Sequence, residues 1–384
     1  MLKMRKMKDS GIEWIGEIPE GWEVTKLKYL STFPIEKNAH TDSPYIGLEN
    51  IESWTGKYVS SDSQYDKSQA LAFFENNILF GKLRPYLAKV FCASNDGCCS
   101  SEFCILNFSS SVNIRYFWNL LISPTFIDHV TKSTYGTKMP RANTDFIKNI
   151  CVPVPPRIEQ DRIALYLDAT SAKIDSLISE TRSSIEEYKK LKQAVITQTV
   201  TEGTPAMFSS PHSVKLKYLI SIVSGEAIRN EQLSDFGEYP VYGGGEIIGF
   251  CSQYNTSEGN LIIGRVGARC GCVTHTTCKS WATDNALIVL PTCNAKYIYY
   301  VIGHCQLNNL NTSNAQPLIT STKIKNVVVP YFSDAMQQQE IANYLDAKCA
   351  EIDGLVAKKE QLVKELESYK KSLIYEVVTG KREV

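Results

Sequence analysis

Residues 163–178, IALYLDATSAKIDSLI, return at 341–356 as IANYLDAKCAEIDGLV, displaced by 178 positions without a gap. Over 163–201 and 341–379, 15 of 39 positions are identical, among them Tyr166/Tyr344, Asp168/Asp346, Asp175/Asp353 and Thr201/Thr379. Two unrelated amphipathic helices would share apolar positions but not these polar ones, so the fold is expected to hold two copies of one unit. Shorter anchors repeat upstream. Leu27-Lys28-Tyr29-Leu30 matches Leu216-Lys217-Tyr218-Leu219, and Ile147-Lys148-Asn149 leading to Pro153 matches Ile324-Lys325-Asn326 leading to Pro330. Between the anchors the halves diverge over about 120 residues each, the size of a single domain.

The repeated segment is helical by its pattern. Leu167, Ile174, Ile178, Thr181, Ile185, Tyr188, Val195 and Thr199 fall three, four or seven apart, as do Leu345, Ile352, Val356, Val363, Leu366, Leu373 and Val377. Neither stretch contains proline, and Gly354 is the only internal glycine. Lys and Glu fill the other faces. Such heptad-like stripes predict two helices of roughly 40 residues, about 60 Å each. Each stripe needs a cover. The other helix is the simplest one, giving a coiled coil within the chain; two bundle helices docked on separate domains are the alternative. Ile174, Ile178, Ile185, Tyr188, Val195, Ile352, Val356, Val363, Leu366 and Leu373 are the expected coiled-coil or partner-docking residues. Asp168, Asp175, Asp346 and Asp353 read as capping or docking groups, not as a metal or acid site.

The divergent blocks carry more strand than helix, so an α+β fold is expected. NNILFGKLRPYLAKVFCA (76–93) and GNLIIGRVGARCGCVTH (259–275) each read as strand, glycine-containing turn, strand. Both place a basic residue after apolar-apolar-Gly, at Phe80-Gly81-Lys82 and Ile263-Gly264-Arg265. Segments 113–130 and 294–305 read as short buried helices, each followed by a polar turn, 135–146 and 311–322. TEGTPAMFSSPHS (201–213) reads as a linker. The expected division is 1–150, first block; 151–212, first helix and linker; 213–330, second block; 331–384, second helix.

EWIGEIPEGWEVTKLKYL (13–30), the basic-Asn-apolar-Pro pattern, the Glu-Gln before IALYLDATSAKIDSLI and the closing Val-Thr-Gly together resemble specificity (S) subunits, HsdS, of type I restriction–modification systems. The resemblance runs in order, in duplicate, over nearly the whole chain. It implies two mixed α/β target recognition domains, each reading half of a bipartite, asymmetric site in double-stranded DNA. Between them it implies two long helices packed as an antiparallel coiled coil that spaces the halves and docks two modification (methyltransferase) subunits. S-adenosylmethionine would sit on those subunits, and ATP and Mg on restriction/translocase subunits, leaving no cofactor on this chain. A related system with a methyltransferase–nuclease fused in one partner is the runner-up. A coiled-coil scaffold that binds proteins is the third reading.

The residues themselves argue for binding over catalysis. There is no G-x-x-x-x-G-K-[ST] phosphate loop, no Asn-Pro-Pro-Tyr or Asp-Pro-Pro-Tyr and no Pro-Asp dipeptide. Gly243-Gly244-Gly245 lacks the strand-to-helix context of a dinucleotide site. Five histidines stand apart from any nucleophile or metal spacing, and twelve cysteines include no C-x-x-C, which suggests reduced, buried thiols in a cytoplasmic protein. No apolar run of 18 residues and no signal peptide is read. With 41 basic and 41 acidic side chains the net charge is zero, which by itself favours the scaffold over a DNA binder. Candidate DNA contacts are Lys82, Arg84, Tyr86 and Lys89 at the first hairpin, and Lys138, Arg141 and Asn143 in the polar turn after it. In the second block they are Tyr242 with Gly244, Arg265, Arg269, Asn314 and Gln316. Lys279, Asp284 and Asn285 are weaker. Arg suits guanine, and Asn or Gln adenine.

Overall fold

The computed structural model describes residues 5–37, 44–61, 68–134, 136, 138–206, 210–267, 269–310 and 318–384. They form two compact units, 1–181 with 361–384, and 182–360.

In the first unit Glu23–Lys26 pairs antiparallel with Cys151–Val154. A four-stranded antiparallel sheet runs in the order Ser31–Thr32, Phe103–Phe108, Ile78–Gly81, Val90–Cys92. Three helices follow it: α1 (Ile114–Leu121), α2 (Pro124–Lys132) and α3 (Thr144–Asn149). Asn113 starts α1 by accepting the backbone N–H of Tyr116 at 3.0 Å, the usual service of an N-cap side chain. Pro124 cannot continue α1 but suits the first turn of α2, so the 113–130 pattern breaks there. Tyr116, Phe117, Leu120, Phe126, Ile127 and Val130 are fully buried. A second sheet joins Tyr45–Ile46, Gly97–Cys99 and Leu71–Phe73. Its strands of two or three residues are too short for a period-2 signal, and the sequence did not reveal them. The ribbon strand Cys151–Val154 leads through Pro155-Pro156 into α4 (Arg157–Glu202).

The second unit repeats this plan. His212–Lys215 pairs with Val328–Tyr331. The four-stranded sheet has the same order: Ile220–Ser224, Ala286–Pro291, Leu261–Gly264, Val273–His275. α5 (Ala295–His304) is capped by Asn294, which accepts from Tyr297 N–H at 2.9 Å; α6 (Ser321–Lys325) and α7 (Ala335–Val378) follow. The three-stranded sheets differ: Gly97–Cys99 is central in the first unit, Tyr239–Tyr242 in the second.

The long helices supply a stretch to each unit, and in each unit the stretches run antiparallel. In the first, Asp175 of α4 meets Lys370 at 2.7 Å, while Arg162 meets the carbonyl of Val384 further along. In the second, Lys192 meets Asp353 at 2.6 Å, while Tyr188 lies under Lys359. Leu167, Ile174 and Ile178 are buried in the first unit, with Val363, Leu373 and Val377; Ile185, Leu345 and Ile352 are buried in the second. Tyr188, Val195, Val356 and Leu366 are half-buried beside this seam. Ile196, Val200, Ile374 and Val378 also belong to the buried set and were not singled out by the stripe.

The repeated aspartates neither cap nor wait for a partner. Asp168 takes Arg115 of α1 at 2.7 Å, and Asp346 takes Lys296 of α5 and the Tyr300 hydroxyl. Asp175 and Asp353 take Lys370 and Lys192, themselves equivalent positions of the repeat. Half-exposed pairs of this kind contribute about 0–1 kcal/mol each, so their effect is to fix register. All twelve cysteines are free; Cys272 and Cys278 are exposed, against the expectation of burial. No helix among the described residues is long and apolar enough to cross a membrane.

Candidate nucleic-acid interface

In the first unit the hairpin and the polar turn that follows α2, separate in sequence, come together. Leu83 bridges to Arg141, Arg84 N–H donates to Pro140 O at 2.8 Å, and Ala142 N–H donates to Lys82 O at 2.9 Å. Lys82 N–H is held by Glu102 O at 2.8 Å. Arg84 sits at φ +50 and Ala88 at φ +48, the left-handed corners of the Pro85–Leu87 turn. Non-glycine residues there carry a small strain, and the turn projects Arg84 and Tyr86 outward, both exposed. Lys138 is exposed as well. Among the described residues Arg84, Tyr86, Lys138 and half-exposed Lys82 have no carboxylate partner.

Other candidates are committed elsewhere. Arg141 is paired with Glu102. Lys89 donates to Leu48 O at 2.6 Å, and burial pulls its ammonium below the ordinary lysine value, so it is a bracing group and not a free contact. Asn143 caps α3, its side chain accepting from Asp145 N–H at 2.7 Å.

The second unit builds the same loop with the same bonds. Arg265 N–H donates to Asn285 O at 2.9 Å, Ile319 N–H donates to Arg265 O at 3.0 Å, and Val266 bridges to Leu318. Arg265 therefore stands where Lys82 stands. The glycine loop packs on this turn: a Cβ on Gly264 would lie 2.3 Å from Gly244 O and 2.6 Å from Arg269 O. Only bare backbone allows that approach. Gly264→Ala is expected to lose about 1–3 kcal/mol of stability through overpacking, read by thermal melting; an unchanged melt would mean the two loops separate freely. Arg269 pairs with Glu246 at 3.0 Å, and that hydrogen bond raises the guanidinium above its usual value.

Tyr242 is corrected. It is 9% exposed, packed with Ile262, Ala282, Ala286 and Ile288, and burial raises its phenol, so it supports the glycine loop from beneath. Lys279 lies over the Tyr254 ring at 4.4 Å. Asp284 and Asn285 are exposed, Asn285 directly behind Arg265. Asn314 and Gln316 lie outside the described residues. No group of three metal-ligating side chains occurs among the described residues.

The expected docking residues lie in or beside the helix seam, so the docking half of that expectation is corrected: Ile174, Ile178, Ile185, Ile352, Val363 and Leu373 are out of a partner's reach. The sequence reading also missed Arg115 and Lys296, which tie each block to its long helix; the signal was the repeated Asn-x-Arg/Lys-Tyr at 113–116 and 294–297.

A protein-family model described as type I restriction modification DNA specificity domain matches residues 19–187 and again 212–365. The chain is 25% identical to the type I restriction enzyme EcoDI specificity subunit of Escherichia coli over 47% of this chain and 41% of that protein. It is 22% identical to a putative type I specificity subunit of Mycoplasma genitalium over 89% and 93%. Its match thus spans less than half of the first relative and nearly all of the second. Among solved structures, a chain from work on complex assembly and conformational transition of the type I R-M system superposes with a TM-score of 0.78 at 18% identity, covering 95% of this chain and 99% of that one. The HsdS subunit from Thermoanaerobacter tengcongensis gives 0.54 at 19%, covering 95% and 98%. These structural likenesses establish a common fold, and the family match, made twice along the chain, establishes kinship: the chain belongs to the type I restriction–modification DNA specificity family.

Proposed function

We propose that this chain is the sequence-reading subunit of a type I restriction–modification complex, residues 1–150 and 213–330 each reading one half of a bipartite, asymmetric duplex site. The observation that carries this is the loop made twice. Lys82 and Arg265 are held by equivalent backbone bonds on equivalent sheets, while the residues around them differ. One presentation with two sets of side chains is what a reader of two unlike half-sites needs: phosphate contacts position it and base edges specify. The long helices set the spacing. Recognition of this kind is binding without turnover, and S-adenosylmethionine, ATP and Mg belong to partner subunits in the cytoplasm.

Two methyltransferase subunits are the expected partners. Outside the seam each unit exposes an equivalent apolar set, Ile158, Leu177 and Tyr369 in the first and Met336, Leu355 and Leu191 in the second. Exposed apolar groups repeated in this way suit two copies of one partner.

The test is co-expression with the methyltransferase encoded beside the gene, followed by sequencing of modified bases in the host DNA. A single two-part motif is expected, and exchanging residues 213–330 for another block should change only one half of it. If no motif is modified and the chain does not co-purify with the methyltransferase, a protein-binding scaffold is the better account. A partner that both methylates and cuts would place the chain in the related fused system.

A further inference from the structure

We infer that the repeated Lys-Tyr turn, with the Lys-Asn end of the short helix beside it, is a phosphate-backbone clamp built once into each unit. This rests on the DNA-reading proposal and adds a sequence-blind contact to it. Lys26-Leu27-Lys28-Tyr29-Leu30 is identical to Lys215-Leu216-Lys217-Tyr218-Leu219, and Ile147-Lys148-Asn149 to Ile324-Lys325-Asn326. The apolar members have a structural reason to persist, since Leu27, Leu216, Ile147 and Ile324 are fully buried. Of the polar members, Asn149 and Asn326 bond back to their own short helices, to Asp145 O at 2.8 Å and Thr322 O at 3.0 Å, and Lys148 reaches Asp145 at 3.4 Å; the two tyrosines have no such tie. Tyr29 is 72% exposed and Tyr218 68%, and neither hydroxyl has a hydrogen-bond partner among the described residues.

In both units the turn is docked on the short helix by the same bond, Leu27 N–H to Ile150 O at 3.0 Å and Leu216 N–H to Val327 O at 2.9 Å. In both, a lysine lies over its neighbouring tyrosine, Lys28 at 5.3 Å and Lys217 at 4.8 Å. Lys28 also donates to the Asn149 side chain at 2.9 Å.

Charge and position identify the ligand. The turn 26–30 with α3 carries three lysines and Asp145, net +2; the turn 215–219 with α6 carries four lysines and no carboxylate, net +4. These patches stand out in a chain whose total is zero. Lysine, asparagine and tyrosine hydroxyl all contact phosphate oxygens, and a contact made there carries no sequence information. Each short helix starts just past the residue that bridges to the candidate reading loop, Arg141 to Leu83 and Leu318 to Val266. α3, of six residues, spans about 9 Å, close to the roughly 12 Å width of a major groove. A loop in the groove would thus leave the turn at the groove's rim. A contact used identically by both halves survives where the reading residues diverge.

The experiment compares the full chain with a Lys28→Gln, Lys148→Gln, Lys217→Gln, Lys325→Gln variant. Anisotropy titrations on a random-sequence duplex and on the modified motif would be run across a salt series. Each lost phosphate contact flattens the log K against log salt slope by about 0.9, so a change of about 3–4 is expected. Affinity should fall by the same factor on both duplexes, with the motif unchanged. An unchanged slope overturns the clamp, and if co-purification with the methyltransferase is lost at the same time, the patch is a protein-docking surface. Unequal losses on the two duplexes would overturn it too, by making these residues base readers. If the unmodified chain itself prefers no sequence, the reading proposal falls; if it does prefer one and the slope stays, only the clamp falls. Lys→Gln at exposed positions changes stability by about 0.5 kcal/mol or less, and matching thermal melts verify that the variant folds.

Discussion

Lys82→Ala is expected to relax one half of the modified motif and Arg265→Ala the other, each by about 1–3 kcal/mol of discrimination at the base it faces. That is roughly 5- to 150-fold in relative affinity, at about 1.4 kcal/mol per tenfold. The two side chains share no partner, so the double variant should lose the sum, about 2–6 kcal/mol. The measurement is a competition of variant duplexes, one base pair changed at a time, at fixed salt. Loss that is equal on every duplex would assign these residues to phosphates. Loss confined to the same half-site for both variants would contradict the division of reading between the two units.

Tyr116→Ala is expected to cost about 3–5 kcal/mol. Its ring is fully buried in the first unit, between Phe117 at 5.1 Å and Trp22 at 6.5 Å, centroid to centroid. Its hydroxyl faces two carbonyls, Pro153 O at 3.1 Å and Val378 O at 2.9 Å. The second is one of the orphan carbonyls at the end of α7, which no intrahelical N–H reaches. Burial pushes the phenol well above its usual value, so it remains a donor at every pH of interest. Tyr116→Phe keeps the ring and strips both carbonyls of that proton, at about 1–3 kcal/mol. For a unit of this size one kcal/mol moves a melting temperature by about 2–4 °C. The alanine variant should therefore melt about 6–20 °C lower and the phenylalanine variant in between. A phenylalanine variant as stable as the parent would mean that the hydroxyl holds nothing.

The halves and their helices were legible because a repeat displaced by 178 positions writes the same physics twice. The stripe from Leu167 to Ile185 has the periodicity of a buried seam, and the matched Lys82 and Arg265 follow strands whose apolar runs stand out. What was not legible depends on partners distant in sequence. Nothing local says that Asp175 meets Lys370, 195 positions away, so repeated carboxylates looked like caps. Lys89 and Tyr242 have the composition of contacts, but only the fold places Leu48 O at the lysine and Ile262 against the ring. Seam residues read as docking residues because periodicity reports that a face is covered, not what covers it.

The crossed pairs Asp175–Lys370 and Asp353–Lys192 are one interaction installed at two depths. Their lengths agree, 2.7 and 2.6 Å, yet the side chains are 26% and 14% accessible in the first and 59% and 32% in the second. Lys57 also reaches Asp175 at 3.4 Å, so thermodynamic cycles on both, run with Lys57 replaced by methionine, would compare the same two groups, on the same type of backbone, with solvent access as the main variable. The wetter pair should weaken more in added salt, because ions screen exposed charges first. The molecule thus carries its own internal standard for how strongly water attenuates an ion pair.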